Sequence, residues 1–195
     1  MKKSLLTFAA IIIAGTFAAN AQIQRGNVMV GGDIANLDLG LNEGAYFNVV
    51  INPKAAWFIK DNVAVGGYVN LGLSTAKGMG TAVTYGVGPL ARWYSSGNAV
   101  EAVRHTRFFL EANVGIEGVN YSKSSLNAST NGLGLGVGPG IAYFITPNIG
   151  LEGLLKYQGI VGFGSRPTTS DLNLNVGFQI YLPGRAVRSA ATNTQ

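Results

Sequence analysis

The sequence predicts an all-β fold, an eight-stranded antiparallel up-and-down transmembrane β-barrel preceded by a cleaved signal peptide. Three observations predict it. The N-terminus has the layout of an export signal. Apolar and non-apolar residues then alternate with period two in eight successive segments, the pattern of strands with two different faces. Finally, 47% of residues are apolar and only 12% are charged, against about a quarter in ordinary soluble domains. Such a composition suits a surface that faces lipid.

The export signal comprises Lys2 and Lys3, an apolar stretch from Leu5 to Ala19, and the small-x-small site Ala19-Asn20-Ala21. The apolar run falls short of the ~20 residues a membrane helix needs. Residues 1–21 are therefore expected to be removed, leaving a barrel over 22–182 and a short periplasmic tail over 183–195. Loss of the two lysines lowers the formal charge from +5 to +3, and the remaining basic residues do not cluster as in a nucleic-acid patch. The chain has no cysteine, which excludes a lipoprotein anchor, disulfides and thiolate metal sites.

The eight segments follow in order, each read at every second residue. The first carries Val28, Val30 and Ile34. The second carries Phe47, Val49, Ile51, Pro53, Ala55 and Trp57, and the third Val65, Val69, Leu71 and Leu73. The fourth has Val83, Tyr85, Val87, Pro89, Ala91 and Trp93, and the fifth Phe108, Leu110, Ala112, Val114 and Ile116. The sixth has Leu133, Leu135, Val137, Pro139, Ile141 and Tyr143. Ile149, Leu151, Leu155 and Tyr157 mark the seventh. The eighth holds Leu172, Leu174, Val176, Phe178, Ile180 and Leu182. None of these positions is charged.

The alternate positions hold Asp33, Asn48, Asn52, Lys54, Asn70, Arg92, Glu111, Asn113, Glu117, Glu152, Lys156 and Gln179, with many glycines and alanines between them. This second face is read as small or polar. A soluble ligand-binding barrel also alternates, but with its apolar face inward. Glycine runs suit a cramped interior better than a solvated exterior, so the apolar face is assigned to lipid. Unpaired backbone groups cannot remain in hydrocarbon, so the strands must close into a ring. An even strand number places both termini in the periplasm, with the barrel in the outer membrane.

Lys60-Asp61-Asn62 and Thr146-Pro147-Asn148 read as periplasmic turns, and Ser95–Thr106 as a longer link with a helical turn over Ala99–Arg104. Asn36–Ala45, Ser74–Thr81, Asn120–Asn131 and Gln158–Ser170 read as outer loops. Trp57, Trp93 and Tyr143 then fall at periplasmic strand ends and Tyr85 and Tyr157 at the opposite ends, forming two aromatic belts.

An internal repeat runs through the even strands. Pro53-Lys54-Ala55-Ala56-Trp57-Phe58 aligns with Pro139-Gly140-Ile141-Ala142-Tyr143-Phe144, and Pro89-Leu90-Ala91-Arg92-Trp93-Tyr94 is a partial copy. Each proline removes a ladder donor, which predicts a bulge or bend there. With the closing strand Asn175-Val176-Gly177-Phe178-Gln179-Ile180-Tyr181-Leu182, this pattern resembles the small outer-membrane β-barrel family of OmpA/OmpX/OmpW type, a porin-like fold of Gram-negative bacteria. The resemblance covers about residues 26–182. It implies that Asn175, Gly177, Ile180 and Leu182 form a signal for the barrel-assembly machinery. The family includes adhesins, channels and enzymes, so it implies a fold more than a role. The tail beyond Pro183 is too short for a peptidoglycan-binding domain.

Candidate functional residues lie on the inner face. Lys54, Arg92, Glu111 and Glu152 are expected at similar depth, with Arg107 below and Lys156 above, and Arg92–Glu111 as the favoured pair. Charges at membrane depth must face the interior and find partners. The cluster reads either as the gate of a pore or as a static plug, and the narrow width of an eight-stranded barrel favours the plug. His105, the sole histidine, falls in the periplasmic link, away from Ser122, Ser124 and Ser125 in an outer loop. No catalytic site is expected on that placement. The glycines of Gly132–Gly140 recur every second residue, unlike a phosphate loop, and Asn127-Ala128-Ser129 is a bare match to a glycosylation acceptor. No cofactor or metal is implied. The expected role is a non-enzymatic one in membrane integrity or surface interaction, with a small channel for polar solutes as the alternative and any extracellular ligand unspecified.

Overall fold

Period-two alternation becomes eight strands in the computed structural model, which describes residues 23–39, 46–76, 80–96, 105–122, 130–164 and 168–184. The expected signal peptide, the turn over Ala99–Arg104, Ser124, Ser125, the Asn127–Ser129 pattern and the tail beyond Gly184 lie outside the described residues. The strands are β1 (Val28–Leu39), β2 (Tyr46–Lys60), β3 (Val63–Ala76), β4 (Gly80–Tyr94), β5 (Thr106–Tyr121), β6 (Thr130–Thr146), β7 (Ile149–Gly162) and β8 (Thr169–Leu182). Each pairs antiparallel with its neighbour in sequence, and β8 returns to β1, with Val28 opposite Leu182 and Ala35 opposite Asn175. Closure leaves no open sheet edge.

Strand lengths of 12 to 17 residues exceed the 9–11 that cross a bilayer at a tilt. The excess lies mostly at the end away from the termini. The flanks of the segments read as outer loops from their Gly, Ser and Thr content continue the ladder, so that Ala76 pairs with Gly80 and Gly162 with Gly132, while the middles of those segments lie outside the described residues. Composition misleads there because β-pairing needs only backbone groups.

Side chains sort by parity. Trp57, Val87, Ile116 and Leu172 project outward, Leu172 with 66% of its surface exposed, while their neighbours Phe58, Gly86, Glu117 and Asp171's cross-strand partner Gln158 turn inward or are partly covered. Trp57, Trp93 and Tyr143 stand on the outer wall near the terminus-bearing end. Tyr157 also faces out, but β7 runs five residues past it, so it lies below the strand tip. Tyr85 lies flatter. It crosses Gly118 of β5, and its hydroxyl bonds the side-chain oxygen of Asn131 on β6. A Cβ on Gly118 would collide with both groups, so the glycine is what lets the ring lie down. Tyr121 and Phe163 are the exposed aromatics at the far end.

The prolines do not produce bulges. Pro53, Pro89 and Pro139 pair with the preceding strand through Gly32, Gly67 and Leu110. Toward the following strand the ladder skips two residues and resumes in the same register, from Ile51–Leu71 to Lys54–Tyr68 in β2–β3. The same gap separates Val87–Ile116 from Leu90–Asn113, and Val137–Tyr157 from Gly140–Leu154. A missing N–H thus deletes bridges without inserting a residue. The register shifts occur instead beside the turns, between Phe58 and Lys60 and between Phe144 and Thr146, and within β1 between Ala35 and Asp38. Asn62 closes the β2–β3 turn with φ of 64°, a left-handed conformation that asparagine tolerates.

Candidate functional site in the barrel lumen

Three layers fill or line the interior. The layer at the terminus-bearing end is aromatic, which alters the reading of the inner face as merely small or polar. Phe58, Tyr94, Phe109, Phe144 and Tyr181 pack with neighbouring ring centroids 5.1 to 6.5 Å apart, within the range of favourable aromatic pairs. Met29, Leu90 and Leu154 complete the packing, and Ile23, which precedes β1, tucks against it. The segment before β1 is held across this end by Gly26 N–H donating to the Phe58 carbonyl and Asn62 N–H to that of Ile23.

The second layer is ionic. Arg92 is 1% exposed and bridges two carboxylates, with Nη2 2.6 Å from Glu111 and Nη1 2.8 Å from Glu152. Its guanidinium also donates to the Tyr94 hydroxyl at 2.9 Å and lies 4.2 Å from the Phe109 ring centre. Tyr181 donates to Glu152 at 2.9 Å. Glu111 takes further bonds from Lys54 at 3.1 Å and Lys156 at 3.3 Å, and Lys54 reaches Asp33 at 2.5 Å. Three cations and three carboxylates thus form one connected, balanced network with its donors planar and forked where bidentate contact is needed. Lys54, Arg92, Glu111, Glu152 and Lys156 are brought together. Arg107 is not. It sits on the turn side of Phe109, half-buried, and donates to the Thr106 carbonyl. The aromatic layer lies between it and the ions.

The glycines of β6 make this packing possible. Cβ atoms at Gly134, Gly136 and Gly140 would overlap Glu117, the Asn113 and Lys156 side chains, and the Phe109 ring respectively. Large side chains from β5 and β7 occupy the volume that β6 leaves empty.

Above the ions Glu117, fully buried, accepts from the Tyr68 hydroxyl and from Gln158, both at 2.5 Å. Beyond it opens a cavity of about 380 Å³ at the end away from the termini, lined mainly by Asn, Ser, Thr and acidic side chains. In β8, Asn175 faces the lumen, Gly177 packs on Gly32 and Asp33, and Ile180 and Leu182 join the outer wall.

Asp33, Tyr94, Tyr181, Tyr68 and Glu117 are lumen partners that the sequence reading did not single out as site residues. A signal for the aromatic layer exists: Trp57-Phe58, Trp93-Tyr94, Phe108-Phe109 and Tyr143-Phe144 are doublets, and alternation must send one ring of each inward.

No family model and no curated protein matches the sequence. Solved structures do match the fold. Neisserial surface protein A is 17% identical, with 79% of this chain and 95% of that one covered and a TM-score of 0.54. The N-terminal β-barrel domain of Pseudomonas aeruginosa OprF is 13% identical, with 81% and 98% covered and a TM-score of 0.53. The closed ring of eight antiparallel strands is the fold of the small bacterial outer-membrane β-barrels.

Proposed function

We propose that the protein is a non-enzymatic outer-membrane barrel whose own side chains close its lumen, and that it serves membrane integrity or contact at its loop end. The observation that carries this reading is the pair of stacked layers, aromatic and ionic, with Arg92, Tyr94, Glu111 and Tyr181 all at 1% exposure or less. An eight-stranded barrel is just wide enough to be filled in this way. The outward apolar wall takes lipid as its partner, and β8 carries the residues that would address the assembly machinery. Both termini are assigned to the periplasm because the two tightest turns, over residues 61–62 and 147–148, accompany them, with the link between β4 and β5 the one long connection at that end.

A catalytic role finds no support in the placement of the candidate groups. His105 is exposed beside Tyr143 at the terminus-bearing end, whereas the Ser122 hydroxyl accepts from the Thr81 N–H at the other. An imidazole base must stand within hydrogen-bond reach of its nucleophile. Refolded protein in planar bilayers is expected to give no steady single-channel current. A reproducible conductance that changes in Glu111→Gln would replace this reading with the channel alternative.

A further inference from the structure

The charge of the barrel is shared unevenly between its ends. In the lumen Asp33, Glu111, Glu117 and Glu152 face Lys54, Arg92 and Lys156, which leaves one negative charge in excess. At the loop end the chain carries Lys77, Lys123 and Arg166 against Asp38, Glu43 and Asp171, and these cancel. The terminus-bearing end takes the rest. Arg25, Lys60 and Arg107 lie there among the described residues, and the segments that continue from that end add Arg104, Arg185 and Arg188 by sequence. Only Asp61 and, by sequence, Glu101 oppose them. The positive surplus of residues 22–195 therefore belongs entirely to this end.

These cations are open to a partner. No ion pair joins Arg25, Lys60 or Arg107 to another described residue, and all the ion pairs among the described residues lie in the lumen. Asp61 is engaged instead by the Arg25 backbone N–H, which donates to its Oδ1 at 2.8 Å. Arg25 and Lys60 are exposed. Their height is set by the belt. Trp57 and Trp93 stand out from the wall at this end, where amphipathic rings mark the boundary of hydrocarbon and water. Lys60 follows Trp57 by three residues in β2, and the His105 ring lies 6.4 Å from that of Tyr143. A flexible cation just beyond such a belt reaches the lipid phosphates. In a zwitterionic headgroup the phosphate is already neutralised by its own amine, so the gain is reserved for a headgroup that lacks one. We infer that this end gathers anionic phospholipids of the periplasmic leaflet into the lipid shell around it. The leaflet rests on the reading above that both termini are periplasmic, whereas the lipid class does not.

The two tryptophans of the chain, Trp57 and Trp93, both report on this end. The full barrel is refolded in mixed vesicles of phosphatidylcholine and phosphatidylglycerol, with one or the other lipid brominated on its acyl chains. Quenching then gives the share of each lipid at the two rings. Phosphatidylglycerol is expected to be preferred about fivefold at low salt, the weight of one cation near an anionic surface. In about 1 M salt, where the Debye length is ~3 Å, the preference should largely vanish. Arg25→Gln with Lys60→Gln, both exposed, should cut it by at least half. Lys77→Gln with Lys123→Gln, at the loop end, should leave it unchanged. A ratio of one at low salt, a preference that ignores salt, or equal loss in the two double variants overturns the inference. The leaflet is read separately, from a cysteine added after Gln195 in this cysteine-free chain. Reaction with an impermeant maleimide only after the outer membrane is opened supports the periplasmic leaflet. Reaction in intact cells overturns the leaflet and the orientation, and leaves the lipid class to the quenching result.

Discussion

Replacing Arg92 with methionine is expected to lower the unfolding free energy by about 3–5 kcal/mol, the cost of breaking a buried ion pair from one side. The reason is the double engagement of the guanidinium, 2.6 Å from Glu111 and 2.8 Å from Glu152. Glu111 keeps Lys54 and Lys156 when Arg92 is lost, but Glu152 is left with only the Tyr181 hydroxyl. Removing Glu152 as well restores the balance, because Asp33 and Glu111 then face Lys54 and Lys156. The double variant Arg92→Met with Glu152→Met should therefore be clearly more stable than Arg92→Met alone, despite having lost more contacts. Urea unfolding of the refolded protein in lipid vesicles, followed by tryptophan fluorescence, measures both. Trp57 and Trp93 lie on the wall and report release from lipid. Two single variants that simply add would show that the ions act independently, contrary to a shared network.

This network also shows how far the chain could be read without its structure. Strand number, parity and closure were all legible, because lipid imposes one apolar face and a ring of paired backbone. Lys54, Arg92, Glu111, Glu152 and Lys156 were legible as lumen residues for the same reason: parity sends them inward, and charge forbids the alternative. Their partners were less so. Arg107 shares their parity, yet Phe109 and Phe144 stand between it and the ions, and the height of a side chain along a tilted strand is not written in its parity. Tyr94 looks like a further apolar position until the second ring of its aromatic doublet is assigned inward, and Tyr181, between Ile180 and Leu182, is sent inward by parity alone. The prolines illustrate the same limit from the backbone side. Loss of a donor was visible, but whether the ladder bulges or merely skips a bridge depends on the neighbouring strand, and here the glycines beside two of the prolines decide it. At Gly88 and Gly138 an added Cβ would overlap the Val114 and Leu155 carbonyl oxygens. The strands approach closely there and stay in register.

Val137→Arg should cost about 2–4 kcal/mol in a bilayer, the range for a cation on the lipid face of a barrel at mid-depth. Val137 stands near the middle of β6, exposed on the wall between Ala112 and Tyr157, with no acidic residue beside it on that face. Ile145→Arg provides the comparison. Ile145 is more exposed than Val137, at 57% against 46%, but it lies next to the turn at the terminus-bearing end. A guanidinium there reaches headgroups and water by extending its stem, so the cost should fall to about 0–1 kcal/mol. On a soluble barrel the order would vanish, since exposed substitutions of this kind usually stay within about 0.5 kcal/mol at either position. The decisive quantity is therefore the difference between the two sites, measured in the same vesicles by urea unfolding. Exposure alone ranks Ile145 as the more permissive site by a small margin, whereas hydrocarbon depth separates the two by several kcal/mol. Equal effects would mean that the apolar wall does not face lipid, and the ionic interior would lose its physical reason for being inside.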